Sequence, residues 1–472
     1  MRSPMTLLVS APDTYLPERR YVLDVILSEW LGLEYTLTYH EEPHVVIRLA
    51  GDSRESEVSL PDVLFATPSQ DWLTERSMPV CPLERLKIPT LPRAQAADPD
   101  TVASDAHGTE LLPVVFGSLA TDGLTWRRTA SGAEISVDVL GSVFFLVTRY
   151  EEIVRKDRDV HDRFPASASL AAVEGFLDRP IVDEYVDQLW MAMQSLWPAL
   201  VRRSSTFRLR LTHDVDQPWA ALVHRALAGD FLRRGDPILA ARRLRSIIDA
   251  RGGRVDRDPF NTFDFLMDTS EQLGLRSTFY FRTRGMYRLS DPPVADLLRR
   301  IHDRGHQVGL HGSYECYRSP ERTRAEFGEL QAACRAVGVD QPEWGVRQHF
   351  LRLDNPQTWR NHESAGLEHD STLGFADQVG FRAGTCREYP LFDLVARQTL
   401  RLRERPLILM DATMFGYMGL QLSQAASVAR AVVRACRRHR GDAVLLYHND
   451  SLWDARRRRH YRELVDDVVR ED

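Results

Sequence analysis

The chain has 472 residues, 43% of them hydrophobic, with a formal net charge of −6 and an isoelectric point near 6.2. A chain of this length is too long to fold around a single hydrophobic core, so we expect two or three globular domains. The mildly acidic balance argues against nucleic acid as a partner, and the basic clusters at 233–245 and 456–459 are interpreted as solvated helix faces.

Cysteine spacing and hydropathy limit the class further. The five cysteines are widely spaced and form no CxxC pair, which argues against a disulfide framework and against a thiolate zinc site. A reducing compartment fits this pattern. The stretch TLLV near the N-terminus is too short for a signal peptide, and no run of about 18 apolar residues predicts a membrane span. We therefore expect no membrane span and a cytoplasmic location.

The front of the chain predicts a small α/β unit. Strand-like TLLVS is followed by an amphipathic helix over 21–31 and by strands at 35–39 and 45–49. The polar stretch 94–108 is typical of a loop or linker and marks a possible sub-boundary. This region carries no recognisable catalytic motif.

Residues 109–205 add strands, helices and a charged segment. His161 with Asp159 and Asp162 lacks the spacing of a metal site, so we interpret these residues as surface. The stretch 181–200 has apolar residues at spacings of three and four, which predicts a helix that docks the front half onto the back half. We predict an N-terminal α/β domain over 1–205.

From about residue 206, strand and helix signals alternate. The strand-like segments are FRLRL, STFYF, QVGL, EWGV, LILMD and AVLLY, and helical patterns separate most of them. Such alternation is typical of a parallel α/β barrel or a doubly wound sheet. In both architectures the carboxyl ends of the strands converge on one site.

The segment LTHDVDQPW (211–219) places Asp214 and Asp216 two positions apart at a predicted strand end. In extended backbone both side chains point the same way, which suits a metal site or an acid–base pair. Asp216 precedes Gln217-Pro218, so a turn or helix cap is the simpler alternative. Three later segments repeat an apolar run followed by histidine: GHQVGLHGSYE (305–315), GVRQHF (345–350) and AVLLYHND (443–450).

In order and spacing these motifs resemble the polysaccharide deacetylase family, carbohydrate esterase family 4, whose shared unit is the NodB homology domain. The resemblance covers residues 206–472 and implies a distorted (β/α) barrel behind the N-terminal α/β domain. It also implies removal of acetyl groups from N-acetylated sugars with a divalent metal.

The resemblance implies roles for the first two motifs. THDVD stands where the family has TFDDG, so Asp214 matches the base, and the displaced Asp216 is assigned to the metal. His311 matches the first histidine of HxxxH, whose second position holds Glu315. Imidazole and carboxylate can both bind zinc, so His349 and Glu315 are both candidates for the third ligand. We prefer His349 and keep Glu315 as the alternative.

The remaining roles also follow from the resemblance. Arg347 matches the arginine that pairs with the catalytic carboxylate, and His448 matches the histidine that protonates the leaving amine. Asp370 is the nearest match to the aspartate that orients that histidine. The Gly-rich segment GFRAGTC places Arg382 on a loop that could contact substrate oxygens.

We therefore predict a hydrolase that uses a divalent metal, zinc by preference, to deacetylate an N-acetylated sugar or glycan. Two alternatives stay open: a metal-independent amidohydrolase of the same barrel type, and a non-catalytic glycan-binding protein. The joint presence of Asp214, Arg347 and His448 favours catalysis over binding alone.

Overall fold

A computed structural model describes residues 5–89, 111–117, 122–220 and 257–470, together with four helical positions between 241 and 248. The predicted linker at 94–108 and most of the region between 221 and 256 lie outside the described residues. Within these ranges, no helix has both the length and the apolar character needed to cross a bilayer.

The front of the chain forms a six-stranded mixed sheet in the order β2-β1-β3-β4-β8-β7, beside a two-stranded ladder of β5 and β6. Buried and exposed positions alternate along its strands, as in a sheet packed on one face. The strands are β1 (Thr6–Pro12), β2 (Glu34–His40), β3 (His44–Leu49), β4 (Glu57–Pro61), β5 (Glu84–Lys87), β6 (Leu111–Val114), β7 (Trp126–Arg128) and β8 (Gly132–Ile135).

Five α-helices accompany this sheet among the described residues of the front half. The helix VLGSVFFLV is apolar on all sides and buried throughout, and its N-cap Asp138 accepts a hydrogen bond from Gly141 N at 2.7 Å. The helices are α1 (Leu16–Leu23, continued by a π-helix over Asp24–Trp30), α2 (Val139–Val147), α3 (Tyr150–Val154), α4 (Leu170–Val173) and α5 (Ile181–Leu196). Residues 201–207, around the predicted boundary at 205, carry no regular secondary structure.

The back of the chain forms a nine-stranded sheet in the order β14-β15-β13-β12-β11-β10-β9-β17-β16. All neighbours pair in parallel except the edge strand β14. The strands are β9 (Arg208–Val215), β10 (Ser277–Phe281), β11 (Gln307–Gly312), β12 (Gly345–Gln348), β13 (His369–Asp370), β14 (Tyr389–Asp393), β15 (Gln398–Glu404), β16 (Leu407–Met410) and β17 (Asp442–Leu446).

In the described part of the back half, six further α-helices connect and cover these strands, which confirms the mixed α/β class. Their apolar faces are buried, as at Val294, Leu297 and Ile301 of α7. They are α6 (Phe263–Gln272), α7 (Pro292–Asp303), α8 (Pro320–Ala336), α9 (Gln357–Ala365), α10 (Leu422–Arg438) and α11 (Ala455–Arg470).

The nine-stranded sheet is strongly curled. Arg347 on β12 and Asp214 on β9 are separated by two strands, which in a flat sheet means about 14 Å, yet their side chains lie 3.2 Å apart. At the edge, Leu407 N of β16 donates to Leu373 O at 3.1 Å, in the segment that follows β13. The curl therefore turns one face of the sheet into an enclosed interior.

Buried charges join the front and back of the chain. Arg382 donates through Nε and Nη2 to Glu152 at 2.9 and 2.7 Å, and Glu152 also accepts from Arg149 at 2.8 Å. These three side chains are at most 2% exposed. Burial opposes the charge on Glu152, but the two arginines outweigh it and lower its pKa to about 2. Arg382 is thus a structural residue here, not the substrate contact that its loop suggested.

Candidate metal centre

Three potential metal ligands meet at the carboxyl ends of neighbouring strands. Asp216 directly follows β9, His311 lies on β11, and His349 directly follows β12. One ligand atom from each lies within 4.8 Å of the others. Asp216 Oδ1 is 3.5 Å from His311 Nε2 and 3.2 Å from His349 Nε2. The parallel ladder explains the meeting, because it brings the ends of these strands to one edge of the sheet.

The donor atoms of this cluster fit a divalent cation. His311 Nδ1 lies 2.9 Å from the carbonyl oxygen of Arg347, and since a carbonyl can only accept, Nδ1 carries the proton. The lone pair of Nε2 then faces the cluster, as in metal-binding histidines. His311 Nε2 and Asp216 Oδ1 are buried and have no hydrogen-bond partner in the described structure. A cation would satisfy both atoms.

The ionisation states also suit metal binding. Burial raises the pKa of Asp216, but contacts with His311 and His349 outweigh it and hold that pKa well below its usual range. Burial lowers the pKa of His349, an effect that Asp216 only partly offsets. The cluster therefore contains an ionised carboxylate, Asp216, and an imidazole, His349, whose neutral form is favoured. These are the forms that bind metals.

Glu315, the alternative third ligand, lies outside the cluster. Its side chain is 61% exposed, and its nearest charged partner is Arg352 at 4.0 Å. The HxxxH pattern needs a helix to bring positions i and i+4 to one face. Here His311 ends a strand and the chain turns before Glu315, so the structure corrects that alternative and places His349 with the other two.

Arg347 fixes Asp214 beside the three ligands. Its fully buried guanidinium donates through Nη1 to Thr212 Oγ1 at 2.8 Å and to Asp214 Oδ1 at 3.2 Å. Nε and Nη2 donate to the carbonyl and hydroxyl oxygens of Ser371 at 2.9 and 2.8 Å. The ring of Tyr280 lies 4.7 Å from the guanidinium carbon. With every nitrogen engaged, the side chain has one orientation, and its charge faces Asp214.

His448 follows β17, the strand that pairs with β9 on its other side. Its Nδ1 lies 2.7 Å from Asp411 Oδ1, and its backbone N–H donates to Asp411 Oδ2 at 3.0 Å. Ser451 Oγ donates to the same carboxylate. Burial lowers the pKa of His448, but Asp411 outweighs burial, with smaller contributions from Asp214 and Asp216, and raises it well above its usual value. The Asp411 carboxylate thus favours the protonated form of His448.

The structure corrects the prediction that Asp370 orients His448. Asp370 lies on β13, where its carboxylate accepts from His362 Nδ1 at 2.9 Å and from Thr372 N at 2.7 Å. Asp411 occupies the predicted place instead, because β16 pairs with β17 and brings it next to His448. Asp370 holds together the segment that follows β13.

His213, which stands in place of the family's phenylalanine, lies outside the site. Its Nδ1 is 2.9 Å from Tyr447 O and its Nε2 is 3.3 Å from Ser277 Oγ. Burial lowers its pKa to about 4, so it is a neutral core residue.

A segment from the front of the chain contributes one wall of the centre. The ring of His161 lies 4.6 Å from that of Phe350, the neighbour of His349. Arg163 Nη1 donates to Phe350 O at 3.2 Å, and Nη2 donates to Tyr417 OH at 3.1 Å. The spacing of charges in 159–163 gave no signal for this role, because the contacts span about 190 residues of sequence.

We expect Arg163→Met to weaken the binding of an added divalent metal by about tenfold, the lower end of the effect of residues that orient a ligand indirectly. Phe350 has φ 63°, an uncommon value for a bulky side chain, and Arg163 helps to hold this turn beside His349. Competition with a chromophoric chelator measures the affinity. Arg76→Met, at an exposed ion pair of the front half, is the matched control. Equal affinity in the two variants would contradict this positioning role.

Comparisons with known proteins give a divided picture. Residues 7–198 match a family of unknown function, DUF7033. No curated protein matches the chain. Among solved structures, a protein described as a polysaccharide deacetylase from Mycobacterium smegmatis is 19% identical, with a TM-score of 0.39 over 57% of this chain and 86% of that one.

Two further solved structures show the range of these neighbours. A chitin deacetylase from Colletotrichum lindemuthianum is 12% identical, with a TM-score of 0.32 over 56% of this chain and 82% of that one. A pseudoenzyme of carbohydrate esterase family 4 from Bacillus anthracis is 7% identical, with a TM-score of 0.30 over 56% of this chain and 60% of that one.

Proposed function

We propose that the chain is a metal-dependent hydrolase that removes an acetyl group from an N-acetylated sugar or glycan. Residues 206–472 would form its NodB-type barrel and residues 1–205 its N-terminal α/β domain. The observation that carries this proposal is the meeting of three groups at adjacent strand ends. These groups are a three-residue ligand cluster, a carboxylate fixed by a buried arginine, and a histidine backed by a carboxylate.

Asp216, His311 and His349 would hold the metal. One carboxylate with two imidazoles is a ligand set that suits zinc and leaves positions open for substrate. When bound, such an ion polarises a carbonyl group and makes water a better nucleophile.

Asp214 is placed to act as the base. Its Oδ1 is occupied by Arg347, while its Oδ2 lies 3.7 Å from His311 Nε2 and faces the ligand cluster. That oxygen can accept a proton from water as the water oxygen attacks the acetyl carbon. Arg347 holds the carboxyl group in this orientation before and after it takes the proton.

His448 is placed to act as the acid. Its Nδ1 is held by Asp411, which leaves Nε2 to donate a proton to the nitrogen of the breaking carbon–nitrogen bond. The products are acetate and a free amine. With His448 as the proton donor and Asp214 as the proton acceptor, one site can carry out the acid step and the base step of the reaction.

The rim of the centre supports a sugar as the substrate. Phe350 is 38% and Tyr417 is 49% exposed, and both contact the same guanidinium of Arg163. Exposed aromatic faces beside a polar centre suit a ligand with both apolar C–H faces and hydroxyl groups.

Metal analysis and an activity assay on the purified full chain test the proposal. We expect bound zinc, release of acetate from N-acetylated sugar oligomers, loss of that activity on chelation and its return with added zinc. Activity that survives complete removal of metal would instead support a metal-independent amidohydrolase. Metal binding and glycan binding without acetate release would support a binding protein.

We expect Asp411→Asn to move the alkaline limb of the pH–rate profile to lower pH. The acid works only while His448 is protonated, so turnover is present below its pKa and is lost as pH rises through it. Without the Asp411 carboxylate, burial dominates and the pKa of His448 falls. Ser451→Ala, which removes the hydroxyl that contacts Asp411 and the His448 carbonyl oxygen but keeps the Asp411 carboxylate, should move the limb less. An unchanged limb in Asp411→Asn would argue that another group is the acid.

A further inference from the structure

A second cavity lies inside the curled sheet, at the opposite end from the metal centre. It has a volume of about 270 Å³. Its walls come mainly from the first residues of the parallel strands, including Arg210 of β9, Thr278 of β10 and His369 of β13. The centre described above lies at the last residues of the same strands, so the two sites are distinct.

The lining of this cavity is rich in hydrogen-bond donors. Arg210, Arg276 and Arg405 contribute to it, and none of its lining residues is an aspartate or glutamate. Arg405 is anchored from behind by Glu343 at 2.6 Å and Glu388 at 2.7 Å. These ion pairs fix the guanidinium, while each of its terminal nitrogens keeps a second N–H for another acceptor.

Arg210 and Arg276 add further donors. Arg210 Nε donates to Asp442 Oδ2 at 2.6 Å, which leaves its terminal nitrogens without a short hydrogen bond among the described residues. Arg276 is exposed and forms no ion pair within the described structure. It therefore adds a positive charge that is not engaged in an ion pair with a described carboxylate.

Two polar rings, Tyr280 and His369, also line the cavity. Tyr280 and His369 are each 2% exposed. His369 Nδ1 lies 3.0 Å from both Glu343 Oε1 and Arg405 Nη1, which fixes the ring in the wall. No described residue forms a hydrogen bond with the Tyr280 hydroxyl, so this donor is available to a molecule in the cavity.

The sheet makes room for these rings with two glycines. A Cβ atom at Gly309 would lie 2.5 Å from the Tyr280 ring, and one at Gly345 would lie 2.0 Å from His369 Nε2. Any other residue at these positions would push the rings out of the wall. The shape of the cavity wall therefore depends on glycine at these two positions.

We propose that this cavity binds the oxyanion group, phosphate or carboxylate, of a small molecule. Guanidinium forks and a phenol are donors that match such a group, and the lining itself places no carboxylate in contact with it. A water molecule takes about 30 Å³ in the liquid, so the volume accommodates an oxyanion together with a small organic group.

The ligand would lie one layer of side chains beneath the proposed base. Thr212 and Ser371 line this cavity and also hold Arg347, through contacts of 2.8 Å each. Arg347 in turn contacts Asp214 on its other side at 3.2 Å. The binding site itself does not depend on the proposed hydrolysis.

Calorimetric titration of the full chain with inorganic phosphate and with acetate tests this proposal. We expect saturable binding of at least one anion, with the one that binds identifying the oxyanion. Tyr280→Phe and Arg276→Gln should each weaken it by about tenfold. Arg299→Gln, on the outer face of α7 with its side chain 52% exposed, is the control and should bind as the original chain does.

The titration is repeated after chelation, which separates this cavity from the metal centre. Binding that persists without metal and is weakened in both variants supports the proposal, whether or not hydrolytic activity is found. Absence of saturable binding for both anions would overturn it. So would binding that disappears on chelation, or binding that is unchanged in both variants while circular dichroism shows that they are folded.

Discussion

Asp214→Asn should lower turnover by about 10²–10⁴-fold while the protein keeps its metal. The amide can still accept a hydrogen bond from Arg347 Nη1, which lies 3.2 Å from Oδ1 in the original chain, but it cannot take a proton from water. His311→Ala should lose both metal and activity, because it removes a ligand whose Nε2 faces the cluster. Metal content by mass spectrometry, measured beside acetate release, separates the two effects.

Glu315→Gln is the control for this pair. Its side chain is 61% exposed and lies outside the ligand cluster, so both metal content and turnover should stay unchanged. Equal loss of metal in Asp214→Asn and His311→Ala would contradict the division of labour between base and ligand. Loss of metal in Glu315→Gln would indicate that Glu315 is a metal ligand after all.

His448→Gln should lower the deacetylation of an N-acetylated sugar by about 10²–10⁴-fold. An amine leaves only when its nitrogen is protonated, and in the proposed mechanism this proton comes from His448, whose Nδ1 lies 2.7 Å from the Asp411 carboxylate. The same variant should retain much more of its activity on a nitrophenyl acetate ester, whose leaving group needs no proton. The ratio of the two rates is the measurement.

His302→Gln, on α7 and away from the centre, is the matched control and should alter neither rate. If His448→Gln slows the ester and the amide by the same factor, His448 acts before the leaving group departs. It would then position water or substrate and would not be the acid.

The parts of the site that the sequence predicts are those at the ends of strands. His311, Arg347 and His448 each follow or end an apolar run, and parallel pairing brings such positions to one edge. The β11–β12 register aligns His311 directly with Arg347. Local pattern was sufficient here, because the strand itself places the side chain.

The aspartate behind His448 could not be identified in this way. Asp370 and Asp411 both lie at strand ends, and only the order of strands in the sheet decides which one neighbours β17. β16 pairs with β17, whereas β13 lies five positions away from it in that order. Strand order depends on pairing between distant segments, which local periodicity does not encode. The wall formed by Arg163 was missed for the same reason.

The buried group of Arg149, Glu152 and Arg382 has a consequence for how the chain can be divided. A fragment that begins at residue 206 would keep Arg382 but lose Glu152, whose carboxylate it contacts at 2.7 Å. Such a fragment would also expose to water the surface that packs against residues 149–152. The back half therefore draws part of its stability from the front half, and we expect a fragment of residues 206–472 to be less stable than the full chain.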